Sequence, residues 1–491
     1  MSVTLQQKNQ HLLWRAGFGV DLSAITTAST LKTKNILSTL FDKYKETPIL
    51  IDVADESLKK MYADVAENNS MNPLEKVMDK FSKEQRQQIQ KQSREDIKKL
   101  NLKWLDEMVT TNNPLREKMS LFWHGHFACR DQNIFQQQNL LQIIRTNALG
   151  SFKDLLFGVS KSAGMLAFLN NQQNKKQHPN ENFAREVMEL FTLGRGNYTE
   201  EDIKEAARAF TGWSFKLGGE FIFRKNLHDD GSKTVLGKTG SFNGDDVLNI
   251  LLEQKQTAKY ITQKIYKYFV NDVVDKDKVD WLSKRFYNSD YNIAELMKDI
   301  FSSDWFYDEK NIGAKIKSPV ELLVGIRRQL NITLNKPEVQ LIFQNALGQV
   351  LFYPPNVAGW PGGKNWIDSS SLMLRLQIPR LIKDDEELLI STKTDDDVQM
   401  GMMEKLYNKM QIEIAKKYRI SAKINWADYI KLFEKVERNN LLNNLKSLIL
   451  QTDNKSINNS VVENNINTSS REEYIKTATV ALMSCPEYQL C

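Results

Sequence analysis

The chain has 491 residues, of which 41% are hydrophobic, and this apolar content is ample for a large core in a protein whose length alone suggests about three domains. Its 67 basic and 61 acidic residues give a net charge of +6 without a basic stripe, which argues against nucleic-acid binding. Three cysteines cannot form a disulfide framework, and the sequence shows neither a membrane-span candidate nor a signal peptide, so as it stands it predicts a soluble, cytoplasmic protein.

Helical patterns dominate the chain and predict a mainly α protein, a large multi-helix globular fold with one small β-hairpin insertion. The first helix spans 8–18, a long polar helical stretch covers 74–110, and Pro114 occupies the first position of a helix that runs to His126. Further helices are predicted at 135–147, 151–169, 181–193, 200–212, 245–271, 276–289, 292–303, 318–330 and 337–348.

The first candidate residues for chemistry are His124 and His126, which flank Gly125. Such a pair can bind a metal ion when the backbone is extended. In a continuous helix the two rings point in nearly opposite directions and cannot share an ion. A lone histidine on an apolar face is usually a satisfied core residue, and His126 fits that description.

The segment 181–193 carries a narrow polar strip on an otherwise apolar helix, for which Asn180 is a good N-cap. Because unpaired buried carboxylates are costly, the strip must face paired partners, a wet cleft or a metal. Glu186 and Glu189 are spaced i,i+3 and could point at one cation. Ordinary i,i+4 ion pairs from Glu181 to Arg185 and from Arg185 to Glu189 are equally compatible with the pattern. The catalytic candidates of the strip are Asn182, Arg185, Glu186 and Glu189.

The next helix begins with a capping box formed by Thr199 and Asp202. Glu201, Glu205 and Arg208 share its polar side, which is typical of a solvated face. Arg208 is also a candidate for substrate binding.

Residues 221–237 resemble a hairpin with an Asp-Gly turn, and they place His228 beside Asp229 at a polar, mobile turn. Imidazoles and carboxylates together suit Zn, Mn or Fe. The candidate ligands of a possible divalent metal are therefore His124, His126, His228, Glu186 and Glu189, although their spacing matches no diagnostic metal motif.

The loop 353–366 is rich in Pro, Gly and Trp. Its Trp360 and Trp366 offer flat faces for a substrate, or they anchor a packed connection. An acidic loop at 384–398 and a flexible Asn/Ser segment at 452–470 follow. These features divide the chain into an N-terminal helical segment (1–112), a helical core (113–380) and a C-terminal helical segment (381–491).

Several of these segments together resemble the bacterial domain-of-unknown-function 1800 family, in family order and over nearly the whole length. The matching segments run from His11 to Gly19, Phe122 to Phe127, Asn180 to Gly194, Tyr198 to Glu200, Ala207 to Trp213, His228 to Gly237, Lys317 to Glu321 and Pro354 to Gly363. The resemblance implies a mostly helical protein without an assigned activity. It also implies export and a sulfatase-like partner protein, whereas the missing signal peptide does not fit export.

The leading functional hypothesis is a metal-dependent enzyme with a polar His/Glu/Arg cleft, a hydrolase rather than an oxidoreductase, acting on a small-molecule or polymer substrate. In this hypothesis Glu186 and Glu189 are ligands or a general base, and Arg185 holds an anionic group of the substrate. The alternative is a non-catalytic binding or assembly protein whose polar strip is a structural salt-bridge network.

Overall fold

The structure, a computed structural model, describes residues 3–42, 44–67, 81–384, 420–451 and 459–491. Within these ranges the fold is mainly α, as predicted. The α-helices of the N-terminal half are Leu5–Arg15, Ile25–Thr30, Thr33–Asp42, Glu56–Glu67, Lys83–Thr110, Pro114–His126, Ile134–Asn147, Phe152–Lys161, Ala163–Phe168, Glu181–Glu186 and Glu200–Ala209. Those of the C-terminal half are Gly244–Glu253, Lys255–Phe269, Lys276–Asn288, Ile293–Ser302, Pro319–Gln329, Val339–Leu347, Ser369–Asp384, Trp426–Lys431, Leu441–Ile449, Asn459–Glu463 and Arg471–Met483.

Side-chain caps explain why helices begin where they do. Asn180 accepts a hydrogen bond from the backbone N–H of Asn182 at 3.0 Å. Thr199 and Asp202 form the predicted capping box, and Pro114 occupies the first turn of its helix. The first four N–H groups of a helix have no partner within the helix. A side chain that accepts from one of them, or a proline that has no N–H, therefore suits these positions.

Two predicted helices are each divided into two. The segment 151–169 breaks at Ser162, and the segment 245–271 breaks at Gln254. Both residues have extended backbone angles, with ψ of 139° and 118°, which end one helix and begin the next.

Residues 221–237 do not form the predicted single hairpin. Strand Phe221–Phe223 pairs instead with Trp213–Phe215, and strand Lys233–Val235 pairs with Lys238–Gly240, both antiparallel. The first of these turns uses Gly219 at φ +85°, a conformation that favours glycine. A third two-stranded antiparallel sheet joins Thr333–Leu334 to Ala422–Lys423, so the described residues contain more β-structure than one insertion.

Some predicted segments lie partly or almost wholly outside the described residues. Part of the predicted stretch 74–110 and nearly all of the predicted acidic loop 384–398 lie outside them, as do residues 452–458 of the predicted flexible segment. The rest of that segment includes the helix Asn459–Glu463, so it is not flexible throughout.

Three large apolar clusters form the core. The first extends from Leu12 to Tyr307, and the second joins side chains of 322–382 to those of 420–488. The third joins Phe18 and side chains of 54–141 to residues of the helix Pro319–Gln329. Within the described ranges, no helix combines the length and the apolar character that crossing a membrane requires.

Candidate functional site

The polar strip lies on a helix whose apolar side is fully buried, as the sequence predicts. Phe183, Ala184, Val187, Met188 and Phe191 are each 0% exposed and belong to the first apolar cluster. The helix contacts both Glu200–Ala209 and Lys255–Phe269. These neighbours cover its apolar side and leave the strip at the edge of the core.

This helix changes from α to π geometry directly after Glu186. Residues Val187–Leu193 form the π-helical part, in which the hydroxyl of Thr192 donates to the carbonyl of Val187, five residues earlier, at 2.7 Å. Seven residues of π-helix are unusual, and such segments occur frequently at functional sites. The sequence predicts one uniform helix over 181–193, and the π-helical part corrects that prediction.

Side chains from other helices bond the backbone carbonyls of the π-helix. Tyr260 donates to the carbonyl of Leu190 at 3.2 Å. Gln256 donates to the carbonyl of Leu193 at 3.0 Å. These bonds satisfy carbonyl groups at the end of the helix, where partners within the helix run out.

Arg185 is committed to two other residues of the protein. Its guanidinium group donates to Glu200 at 2.7 and 2.9 Å and to Glu181 at 3.2 Å. The predicted pair with Glu181 is therefore confirmed. Through these bonds Arg185 joins the helices Glu181–Glu186 and Glu200–Ala209.

Glu189 turns away from Arg185 and contacts residues that follow the helix. The hydroxyl of Tyr198 donates to its carboxylate, and Arg195 lies 3.6 Å from it. The predicted i,i+4 pair of Arg185 with Glu189 is not formed in the described structure, because the wider π turn changes the direction of residue 189 relative to residue 185. Burial of the phenol raises the pKa of Tyr198, and the hydrogen-bonded, negatively charged Glu189 raises it further.

Glu186 differs from the other acidic residues of the strip. It is half-buried, and no ion pair or hydrogen bond holds its carboxyl group among the described residues. Burial and the charge of Glu189 raise the pKa of Glu186, while Arg185 opposes the shift. Asn182, the other favoured candidate, is exposed and donates to the carbonyl of Leu169 at 3.2 Å.

The two histidines of the Pro114–His126 helix each have a structural hydrogen bond. His124 accepts from the backbone N–H of Phe352 at 3.1 Å, and His126 Nε2 lies 3.2 Å from the carbonyl oxygen of Phe191. Both rings are 3% exposed. Burial lowers the pKa of His124 to about 3 and that of His126 well below its usual value, so both are neutral.

His228 is buried rather than mobile. Its Nδ1 lies 3.0 Å from the carbonyl oxygen of Thr211, and its ring is 4% exposed. The neighbouring Asp229 pairs with Arg208 instead, at 2.8 Å. Arg208 also bonds Glu205 at 2.7 Å, so this candidate for substrate binding has its donors filled by the protein.

The predicted metal centre does not form from its five proposed ligands. The described residues contain no group of three or more His, Cys, Asp and Glu side chains that could hold a metal ion. Each of the three histidines instead bonds a different part of the backbone. The histidines stabilise loops and the π-helix, and the residues present do not fit a shared metal.

The loop 353–366 packs against the end of the histidine helix. A side chain on Gly359 would meet the carbonyl oxygen of Gly125 at 2.3 Å, so only glycine allows this approach. The ring of Trp360 lies 5.7 Å from that of His124, and Trp366 is 7% exposed. Trp366 is thus part of the core, while Trp360 remains half-buried and within reach of the surface.

The sequence analysis did not single out Tyr198, Tyr260 or Lys264. Tyr198 holds Glu189, and Lys264 is a largely buried lysine with its ammonium group 5.3 Å from the ring of Tyr260. Burial lowers the pKa of Lys264 to about 8. In the sequence, Tyr260 and Lys264 stand out only by their four-residue spacing, which places them on one helix face. Many ordinary helices show the same spacing, so it does not indicate a site.

Two surface cavities open away from the polar strip. One of about 210 Å³ lies between the N-terminal helix and residues 432–448, and one of about 310 Å³ lies near Arg438 and Tyr474. Neither is lined by a predicted site residue. The strip is therefore separate from both of these cavities.

The comparisons with known proteins give a relationship but no activity. A family model described as "Protein of unknown function (DUF1800)" matches residues 11–490. No curated protein and no solved structure matches the chain.

Proposed function

The chain belongs to this family of unknown function, and we propose that it is a hydrolytic enzyme in which Glu186 is the general acid or base. The observation that supports the proposal is the state of the Glu186 carboxyl group. It is half-buried, has no partner among the described residues, and lies where the helix changes to π geometry.

A raised pKa suits a carboxyl group to proton transfer near neutral pH. An ordinary glutamate is almost wholly ionised there and is a poor acid. Burial and the charge of Glu189 both favour the protonated form of Glu186. Glu186 could therefore give a proton to a leaving group and take one back from water.

Two neighbouring carboxyl groups in different surroundings can divide the work of hydrolysis. Glu189 is hydrogen-bonded to Tyr198 and lies near Arg195, whereas Glu186 has neither kind of partner. In the proposed division Glu186 moves the proton, and the charge of Glu189 stabilises positive charge that develops on the substrate. The three predicted histidine ligands are bonded elsewhere, and no step is assigned to a metal ion.

The alternative is a non-catalytic binding or assembly protein, and one observation favours it. Arg185 joins Glu181 and Glu200 in a network that connects two helices. Such a network has a structural use without any chemistry. It leaves Glu186 unexplained, which is why we prefer the hydrolase.

The test compares Glu186→Gln with Glu181→Gln, a change of the same kind on the same helix. Both variants and the unaltered protein are assayed with chromogenic carboxylic esters, phosphate esters, sulfate esters and glycosides between pH 5 and pH 8. We expect one class to be hydrolysed, with the rate reduced about 10²- to 10⁴-fold by Glu186→Gln. Glu181→Gln should leave the rate within about twofold, because Glu181 only shares in an exposed ion pair.

Two outcomes oppose the proposal. Equal rates for Glu186→Gln and the unaltered protein would remove Glu186 from the reaction. Absence of hydrolysis in all four classes, together with a lower melting temperature for Arg185→Gln, would favour the structural network.

A further inference from the structure

Basic side chains outnumber acidic ones in one buried region of the molecule, away from the polar strip. The basic residues are Arg15, Lys118, Lys317 and Arg375, each at most 2% exposed, and the carboxylate among them is Glu321. Glu321 pairs with Lys118 and accepts the backbone N–H of Ser318 at 2.7 Å. Buried charges are costly unless opposite charges match them. Burial lowers the pKa of Lys317 to about 7, so this lysine is partly neutral at neutral pH, and the need for compensation falls on the arginines.

Arg375 is the basic residue with the least compensation. Cys491 and Glu321 both act electrostatically on Arg15 and Lys317, whereas only Glu321 does so on Arg375. Burial lowers the pKa of Arg375 to about 10, and its guanidinium group therefore stays charged at neutral pH.

One edge of the Arg375 guanidinium group has no partner among the described residues. Its Nη1 donates to the carbonyl of Lys317 at 2.9 Å and lies 3.5 Å from Oε1 of Gln489. Its Nε and Nη2 are buried without a hydrogen-bond partner in the described structure. These two N–H groups point in the same direction, which is the arrangement that binds two oxygen atoms of one anion.

Other arginines of this protein use the same edge to bind carboxylates. Nε and Nη2 of Arg208 donate to the two oxygens of Asp229 at 2.8 and 3.2 Å. Those of Arg285 donate to Asp299 at 2.6 and 3.0 Å. At Arg375 no acidic side chain takes this place among the described residues.

Gln489, a neighbour of Arg375, carries a further buried donor without a partner among the described residues. This donor is its Nε2, and its side chain is in contact with Arg375 through Oε1. Both residues are at most 1% exposed. Buried N–H groups without acceptors are rare in folded proteins, and two neighbouring residues here carry three of them.

We propose that Arg375 and Gln489 form a buried binding site for one oxyanion, held through two of its oxygen atoms by the guanidinium edge and through a further contact by the amide. Carboxylates, phosphate and sulfate share this chemistry. The site lies between the helix Ser369–Asp384 and the C-terminal residues 486–489. It does not depend on hydrolysis at Glu186.

The first test measures retention and stabilisation by the three anions. The full chain is purified in acetate, phosphate or sulfate and dialysed into chloride, and the anions released on denaturation are measured by ion chromatography. Melting temperatures are also measured with each anion and with chloride at equal ionic strength. We expect at least one anion to be retained at about one per chain, or to raise the melting temperature by about 2 °C or more. The identity of that anion distinguishes the sources, and the proposal is overturned if none is retained and none stabilises beyond chloride.

Substitutions test whether the anion is retained at Arg375. Arg375→Gln should lose both retention and stabilisation. Arg285→Gln is the matched control and should keep both, since its edge already binds Asp299. An Arg375→Gln protein that still responds like the unaltered chain would overturn the proposal.

If Arg375→Gln does not fold, Gln489→Glu decides the question. This change places a carboxylate beside Arg375 and supplies the missing negative charge from the chain itself. We expect a variant that no longer retains or responds to the anion and melts in chloride no lower than the unaltered protein. An unchanged anion response would overturn the proposal.

Discussion

Glu186 and Glu189 are three residues apart on one helix, yet their surroundings differ. Tyr198 and Arg195 hold Glu189, whereas Glu186 has only the nearby charges of Glu189 and Arg185. Acid–base chemistry requires two carboxyl groups whose surroundings move their pKa values apart. The proposed function therefore depends on one side chain, Glu186, whose carboxyl group has no bonding partner among the described residues.

His124 gives a prediction at the residue scale, because it is buried and neutral. Its pKa of about 3 in the folded protein compares with 6.5 for an ordinary histidine. Between these values the unfolded chain binds the proton and the folded chain does not, so stability falls as the pH is lowered through this window. The slope for one proton is about 1.4 kcal/mol per pH unit.

His124→Asn should remove that contribution while leaving an oxygen to accept the N–H of Phe352. We expect the free energy of unfolding in urea to depend less steeply on pH between 4 and 6, by about one proton. His178→Asn is the control, since His178 is exposed. Identical slopes for His124→Asn and the unaltered protein would show that His124 is not a buried neutral residue.

At the scale of elements, the π-helix Val187–Leu193 connects the strip to the rest of the core. His126 lies within hydrogen-bonding distance of its Phe191 carbonyl, and Tyr260 bonds its Leu190 carbonyl. The helix at Lys255–Phe269 and the histidine helix thus both support the unusual geometry. That geometry in turn sets the direction of Glu189.

Removing one of these bonds should loosen the π-helix locally. Tyr260→Phe leaves the Leu190 carbonyl without its partner, at a cost of about 1 kcal/mol. Hydrogen exchange of residues 187–194 should then become about fivefold faster.

The control is Tyr287→Phe, which removes a hydroxyl bond to the Glu253 carbonyl at 3.1 Å in another part of the protein. This variant should leave exchange at 187–194 unchanged. If Tyr260→Phe also left hydrogen exchange at 187–194 unchanged, the Tyr260 hydroxyl would not stabilise the π-helix.

The local patterns predicted helices and caps better than they predicted strand pairing. The capping box at Thr199 and the apolar side of the Glu181–Leu193 segment depend on neighbours in sequence, and both are confirmed. The partner of strand Phe221–Phe223 depends on a contact with Trp213–Phe215, and the Asp-Gly pair suggested a different one. Asp229 pairs with Arg208 and accepts the backbone N–H of Gly231 at 2.9 Å, but the strands before and after this turn pair with other partners.

At the candidate site, too, contacts between neighbours in sequence were predictable and contacts across the fold were not. The sequence predicted the pair of Arg185 with Glu181 correctly and proposed Glu186 as a candidate, because both follow from spacing on one helix. It could not show that the three histidines bond distant carbonyl and N–H groups, since those contacts are made across the fold. For the same reason the sequence could not show that the described residues contain no group able to hold a metal ion, or that one edge of Arg375 is unpaired among them.

At the scale of the whole molecule, the end of the chain packs against both its beginning and its middle. Gln10 bonds the carbonyl of Ser447 at 2.7 Å, and Lys317 bonds that of Tyr488 at 2.5 Å. The second apolar cluster combines Leu322 and Ile326 with Leu445 and other residues after 420. The C-terminal residues therefore complete a core that the middle of the chain begins.

A chain that ends at residue 419 should not be stable, because this cluster would be left exposed to water. We expect it to be insoluble or to melt at least about 10 °C below the full chain. Co-expression with residues 420–491 should restore solubility. A soluble 1–419 chain with the full melting temperature would show that the C-terminal region folds separately.

The central claim is that Glu186 holds its proton at a higher pH than an ordinary glutamate. The direct measurement is an NMR titration of the full chain labelled with ¹³C at the glutamate carboxyl carbons, with the Glu186 signal assigned by its loss in Glu186→Gln. We predict a midpoint above the ordinary value of 4.5, and a lower midpoint in Glu189→Gln because the neighbouring charge is removed. A Glu186 midpoint at or below 4.5 would contradict the account.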